Sequence, residues 1–397
     1  MRLVTRALGN RWVLAVLSLI ALARVATPVV VSVVQPFEML DFLVYRQAGT
    51  DVLDGVGVYA GHSGRLPFTY PVFAALAFVP LAWIGPTLGQ WVFTAVTYAA
   101  VGCSVIITVT VVGRRSKVQP RVVVGWVLLS ACLAPVVRSV LLGQVGPLLM
   151  LAVLADLFVV PPRWRGVLTG LAAGFKITPA LFVALPILRR DWGWALRMAA
   201  TVVATIGVSA LVRFSDTRTY WTSLLWDARR VGGLAYADNA SLTGVVARAL
   251  GQESPSSAVM LPIQAAVLGW ALYAARRQLR ANDELAALLA VAVGGLLVSP
   301  VSWSHHWVWV VPTVIWLGYA GRPRLAFAAV AVAAVEPLSW VSLLGAATIP
   351  GRIAAAALPA LGLVLLATWA FGAVVARSTR SALLTPADRT HPSLPRD

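Results

Sequence analysis

Long apolar stretches alternate with short polar joints along most of the chain, and most of those joints are basic. Apolar runs of this length, nearly free of charge, are what helices need to cross the hydrocarbon core of a bilayer. The first run, residues 12–34, is too long for a signal peptide and has no small-residue cleavage site behind it, so it is expected to remain as a span. Two segments depart from the pattern. Residues 71–84 stop short at Gly85-Pro86, and residues 166–188 are interrupted by Lys176, Thr178 and Pro179. Both predict short, broken or re-entrant helices. Irregular backbone at membrane depth is tolerated only against protein or a water-filled cavity, so these breaks also predict a cavity. The whole pattern predicts an all-α polytopic membrane protein with about 10–12 membrane helices, some of them broken.

Composition agrees and removes the soluble classes. Hydrophobic residues make up 59% of the chain and charged residues 12%, against about half and a quarter in soluble domains. A net charge of +17 raises the question of nucleic acid. The distribution answers it: Arg163 and Arg165, Arg189 and Arg190, Arg276 and Arg277, and Arg322 and Arg324 all sit in joints between apolar runs. That is the positive-inside signal, no nucleic-acid motif accompanies it, and it predicts these joints and both termini on the cytoplasmic side. Residues 36–70 and 214–258 then lie outside, together with the turns at 138–143, 302–306 and 346–351. Residues 1–383 form a single transmembrane domain, and 384–397, rich in Pro, Asp and Arg, a disordered cytoplasmic tail. No internal repeat is visible. Cys103 and Cys132 lie singly in apolar runs, so they read as small buried hydrophobes with no disulfide or zinc role.

Nine of the 15 acids fall on the predicted outer side. The stretch "DFLVYRQAGTDVLD" places Phe42, Tyr45, Ala48 and Val52 on one helical face, a short amphipathic helix suited to the bilayer surface. With residues 214–258 it is placed to roof a cavity. Asp41, at the end of the first span beside Phe42, is the leading candidate for a general base, because partial burial raises a carboxylate's proton affinity. Glu38 is second, as base or helix cap. Lys176 is a cation within an apolar run, which marks a functional site by default and suits a phosphate. Arg138 is a second phosphate candidate, and Gln144 a partner for a hydroxyl. Tyr45, Tyr70, Asn239, Arg248 and Trp303 are candidates for the acceptor or the cavity wall. "SWSHHW" offers His305 and His306 as hydrogen-bond donors to a phosphate or sugar. Neighbouring helical residues point about 100° apart. His305 is therefore expected to face the site, protonated, with His306 turned to the tryptophan-rich flank. No metal site is expected: there is no HExxH or CxxC.

Six strings occur here in the order found in the integral-membrane glycosyltransferases of family 87: "DFLVYRQAG", "FTYPVF", "GQVGPLLML", "GFKITPAL", "NASLTGVVAR" and "SPVSWSHHWVW". The chain resembles that family from about Asp41 to Pro312. The resemblance implies a GT-C fold, a polyprenyl-phosphate-mannose donor, and an active site on the periplasmic face of the plasma membrane. It implies α-1,2 transfer of mannose to a phosphatidylinositol mannoside, with inversion and with Asp41 as base. It also implies no cofactor, since a phosphate monoester leaving group has no evident need of a divalent ion. "FTYPVF" departs from the usual double proline at Val72, a mild change. The alternatives within the family are a lipomannan-branching α-1,2-mannosyltransferase and an arabinofuranosyltransferase; outside it, a lipid or sugar transporter.

Overall fold

The computed structural model describes residues 6–34, 39–61, 66–113, 118–335, 341, 343–345 and 348–372. Among them there is no strand, only one isolated bridge between Asn239 and Trp303. The helices are α1 (Arg11–Val34), α2 (Leu40–Leu53), α3 (Val72–Ala82), α4 (Pro86–Gly113), α5 (Pro120–Cys132), α6 (Ala134–Leu142), α7 (Gly146–Phe158), α8 (Val167–Phe175), α9 (Ala184–Arg189) and α10 (Trp192–Val212). They continue as α11 (Phe214–Thr222), α12 (Leu242–Leu250), α13 (Ser257–Arg280), α14 (Glu284–Val298), α15 (Val310–Tyr319), α16 (Pro323–Ala334) and α17 (Ile349–Phe371).

The all-α polytopic fold expected from the hydropathy pattern is the one observed. Helices α4, α10, α13 and α17 are long and apolar enough to cross a membrane. The break at 166–188 is present: α8 ends at Phe175, Lys176 is extended, and a 3-10 turn from Thr178 to Val183 leads into α9. A further break was not anticipated. Helices α5 and α6 bend by 62° at Leu133. Pro135 in the first turn of α6 was the available signal, since a proline removes a backbone donor and starts a new helix readily.

The bundle has a basic end. There Arg197 donates to the carbonyls of Arg165 (2.9 Å) and Pro162 (3.1 Å), Arg189 pairs with Glu284, and Arg277 donates to the carbonyl of Trp369 (3.2 Å). Three helices that start at this end are held by acids. Asp156 accepts from the backbone of Gly166 (2.7 Å) and Leu168 (3.0 Å) at the start of α8; Asp191 caps α10 and Asp283 caps α14. Each carboxylate satisfies amide groups that a helix start leaves open. Helix α8 then climbs in close contact with α10. Its glycines face Trp194, Met198, Thr201 and Thr205, and a Cβ on Gly170 or Gly174 would lie 2.7 Å and 2.2 Å from the nearest atom. Small residues spaced four apart let two membrane helices approach backbone to backbone.

This close seam delivers Lys176 to the opposite end of the bundle. Gly174→Val is therefore expected to destabilise the protein by about 1–3 kcal/mol through overpacking. Gly207→Val on α10, where a Cβ meets nothing within 4 Å, should be nearly neutral. Thermal unfolding of both variants in one detergent decides it; equal midpoints would mean that the seam is not under steric constraint.

Candidate active site

Helix α2 begins one residue before Asp41, and Phe42 fixes where it begins. The Phe42 ring is fully buried between two glycines. A Cβ on Gly89 of α4 would lie 2.6 Å from the ring, and one on Gly143 would lie 2.6 Å from the Phe42 Cβ. Gly143 has φ +73, a left-handed turn that closes α6 and that a side chain would strain. Asp41 is thereby held beside the residue after that turn, Gln144. The apolar face foreseen for α2 is the buried one, with Phe42, Tyr45 and Ala48, but it packs against α3 and its neighbours. Asp51, expected on the polar face, is buried too, and accepts from Gln47 (2.8 Å).

From Asp41 a chain of polar groups runs to Lys176. Tyr45, one turn along α2, stacks on Phe78 at 4.5 Å. Its hydroxyl lies 3.1 Å from Gln144 Oε1 and 2.9 Å from the Tyr70 hydroxyl, and Lys176 Nζ donates to Tyr70 at 3.1 Å. An ammonium only donates, and each phenol has one proton. The network therefore has a direction: it starts at the Lys176 donor and ends at Gln144 Oε1, which lies in reach of both phenols, 3.1 Å from Tyr45 and 3.2 Å from Tyr70. With its oxygen occupied, Gln144 turns its amide N–H groups to Asp41, to which it hydrogen-bonds. Lys176 also meets His306 Nε2 at 3.3 Å. Since Lys176 donates there, Nε2 accepts and the imidazole proton sits on Nδ1.

Asp41 and the histidines lie outside the long apolar helices and the bent pair. Burial raises the Asp41 carboxyl above its usual range, opposed by the Gln144 hydrogen bond and then by the charges of Lys176 and Arg138. Burial, with Lys176 and Arg138 nearby, holds His305 well below the ordinary imidazole range; burial, Lys176 and His305 do the same for His306. Both rings are neutral at pH 7. This corrects the expectation of a protonated His305. A cation is unfavourable there because the ring is buried and because two other cations stand nearby.

Three cavities meet at these residues. One of about 330 Å³ is lined by Asp41, Tyr45, Tyr70, Lys176, Arg230 and His306, among others. A second of about 640 Å³ shares Asp41, Gln144 and Trp303 with it and adds His305 and Asp238. The third, about 310 Å³, starts at Lys176 and His306 and is otherwise mostly apolar, with Leu149, Met150, Phe182 and Trp309 in its wall. The expectation that only one histidine faces the site is overturned. Residues 304–309 form a 3-10 turn, in which successive side chains diverge by about 120°, and there is a cavity on each side.

Other sequence candidates take different places. Arg138 pairs with Asp238 at 3.7 Å. Asn239 is not in the wall of any of the three cavities: its amide binds the carbonyls of Leu234 and Pro300 and the backbone N–H groups of Ser241 and Ser302. Arg248 bonds the carbonyls of Tyr236 and Asn239. Asn239 clamps the 232–241 loop to 300–303, Arg248 ties the same loop to α12, and both act on the site only through it. Glu38 lies outside the described residues. Arg230 was passed over as part of the roof; it lines the Lys176 cavity, anchored to the Phe68 carbonyl (3.1 Å). Its neighbours in sequence gave no sign of this, because the loop from Leu224 to Gly232 folds back over the cavity.

The model of glycosyltransferase family 87 matches residues 68–300. A polyprenol-phosphate-mannose-dependent alpha-(1-2)-phosphatidylinositol mannoside mannosyltransferase of Mycolicibacterium smegmatis is 37% identical over 308 residues, 70% of this chain and 69% of that protein. The corresponding protein of Mycobacterium tuberculosis is 33% identical over 329 residues, 77% of this chain and 76% of its own. A phosphatidylinositol pentamannoside mannosyltransferase of Mycobacterium tuberculosis is 38% identical over 259 residues, 64% of this chain and 58% of that protein. No solved structure matches the chain significantly.

The Gln144 amide favours the ionised Asp41, so Gln144→Leu should raise the Asp41 pKa further. Infrared difference spectra of Gln144→Leu, with and without Asp41→Asn, report protonation of this one carboxyl as pH falls. A midpoint that stays put or drops would show that the amide does not bear on Asp41.

Proposed function

The chain belongs to glycosyltransferase family 87, and from that premise we propose that it transfers mannose from a polyprenyl-phosphate carrier to the 2-hydroxyl of a mannose on a phosphatidylinositol mannoside. The observation that carries the reading is the chain from Lys176 to Asp41 in one wall. It sets a cation for a phosphate and a carboxylate for a hydroxyl proton on either side of a shared space.

The steps follow from those groups. The acceptor oxygen attacks the anomeric carbon, the bond from that carbon to the phosphate oxygen breaks, and polyprenyl phosphate leaves. Asp41 takes the hydroxyl proton as the oxygen attacks, and a single displacement turns a β-linked donor into an α-linked product. Lys176 and Arg230 stabilise charge growing on the departing phosphate, more strongly out of water than in it. The mostly apolar cavity behind Lys176 suits the first isoprene units of the carrier. Neutral His306 accepts from Lys176 and fixes its direction.

The basic joints gather at the end of the bundle away from the cavities, which by the positive-inside rule supports a cytoplasmic place for that end and an outer one for the site. In this reading one transmembrane domain carries the site, and both termini are cytoplasmic.

Assays in nanodiscs with labelled polyprenyl-phosphate mannose test the mechanism. Asp41→Asn keeps the shape and removes the base, so kcat should fall about 10²–10⁴-fold with donor binding retained. Near-normal turnover would remove Asp41 from the role. Lys176→Ala should raise the donor KM roughly ten- to a hundredfold through loss of a charge-assisted bond. An unchanged donor KM in a well-folded variant would show that the phosphate sits elsewhere.

A further inference from the structure

His305 is a buried ring for which the steps above have no task. It is 3% exposed, and neither Nδ1 nor Nε2 meets a hydrogen-bond partner among the described residues. Buried polar atoms are nearly always paired, and leaving one unpaired costs more than a typical hydrogen bond contributes. Asn239, on the facing loop, shows the ordinary case, with both ends of its amide bonded. The orphaned ring is explained by its position. It forms part of the wall of the 640 Å³ cavity, the same wall that holds Asp41.

The character of that wall says what fits. Its described residues include the carboxylates Asp41, Asp238 and Glu253 and neither lysine nor arginine. Arg138 reaches Asp238 without lining the cavity. A phosphate there would face carboxylates, whereas a polyol gives its hydroxyl protons to them. A neutral imidazole adds one N–H and one lone pair, a match for hydroxyls that both donate and accept. The Lys176 cavity differs in carrying two cations, Lys176 and Arg230, beside the carboxylates Asp41 and Asp227 in its lining. The two cations therefore mark a place for a phosphate, and the wall without them a place for a sugar, with Asp41 common to both.

We propose that the His305 cavity seats the terminal sugar of the acceptor, and that His305 binds a ring hydroxyl of that sugar other than the one that attacks. The proposal rests on the mannosyl-transfer reading and moves His305 from the donor phosphate, where the sequence put it, to selection of the acceptor. The test uses octyl α-mannoside and its 3-, 4- and 6-deoxy analogues as acceptors. The wild-type protein should show a roughly tenfold higher KM for at least one analogue. His305→Ala should raise the KM for the parent mannoside by a similar factor, cancel the penalty for that same analogue, and leave the donor KM within about twofold. His305→Gln, with one donor and one acceptor, should recover part of the loss. A wild-type protein indifferent to every deoxy position overturns the proposal without any variant. So does a His305→Ala that raises the donor KM alone or keeps every deoxy penalty. Failure of the wild-type protein to mannosylate any acceptor, the phosphatidylinositol mannoside included, would instead sink the mannosyl-transfer reading.

Discussion

A lysine ammonium half-withdrawn from water needs acceptors, and the site is organised around meeting that need for Lys176. The cost of an ammonium in a low-dielectric interior is several kcal/mol unless oxygen or nitrogen lone pairs surround it. Tyr70 and His306 supply two. Each of these groups is then oriented by what it accepts. Tyr70 passes its own proton onward, Tyr45 does the same, and Gln144 is left with its donors aimed at Asp41. One half-buried cation thus bears on the proton positions of four residues and on the surroundings of a fifth, Asp41. In the proposed transfer these groups already stand ready for a hydroxyl on one side and a phosphate on the other, as in a preorganised site.

The helices are broken so that this chain can exist. A continuous span through residues 166–188 would bond every backbone group internally and leave Lys176 no freedom to turn. Ending α8 at Phe175 gives Lys176 extended backbone and directs its ammonium into the cavity. The break is affordable because α10 lies tightly along α8 and 3-10 bonds resume at Thr178. The same logic applies to Gly143. Its left-handed turn ends α6, admits Phe42, and brings Gln144 to Asp41. Where a soluble enzyme would place such groups on loops over a rigid sheet, this protein places them at interruptions of membrane helices.

The division of the cavity follows from the 3-10 turn at 304–309. In an α-helix two adjacent histidines would share a face only partly, and one would be wasted on lipid or core. In the tighter turn the His305 and His306 rings meet edge to face at 4.6 Å and line different cavities, and Ser139 of α6 lies 3.4 Å from the His305 carbonyl. The polar clamp of Asn239 on Pro300 and Ser302 fixes the same segment from the other side. Residues that the sequence marks as ligands are in this case the frame that positions them.

Much was legible in the chain itself. Hydropathy fixed the class, because a span is a matter of length and apolarity alone. The clustering of arginines in alternate joints fixed which ends go together. The breaks at Gly85-Pro86 and at Lys176 could be read because proline, glycine and a buried charge each act on their own few residues. Asp41, Lys176 and the histidine pair stood out for the same reason, as polar residues where polarity is costly. The rest depended on partners far away in sequence. The orientation of Gln144 is set by tyrosines 99 and 74 positions away, and Asn239 is a clamp only because Pro300 lies beside it. The protonation of His305 is decided by burial and by charges on other helices. Sequence determines where a charge or a break must occur, since those costs are local; only the tertiary structure decides what each charge faces, since pairing in a membrane interior is made between helices.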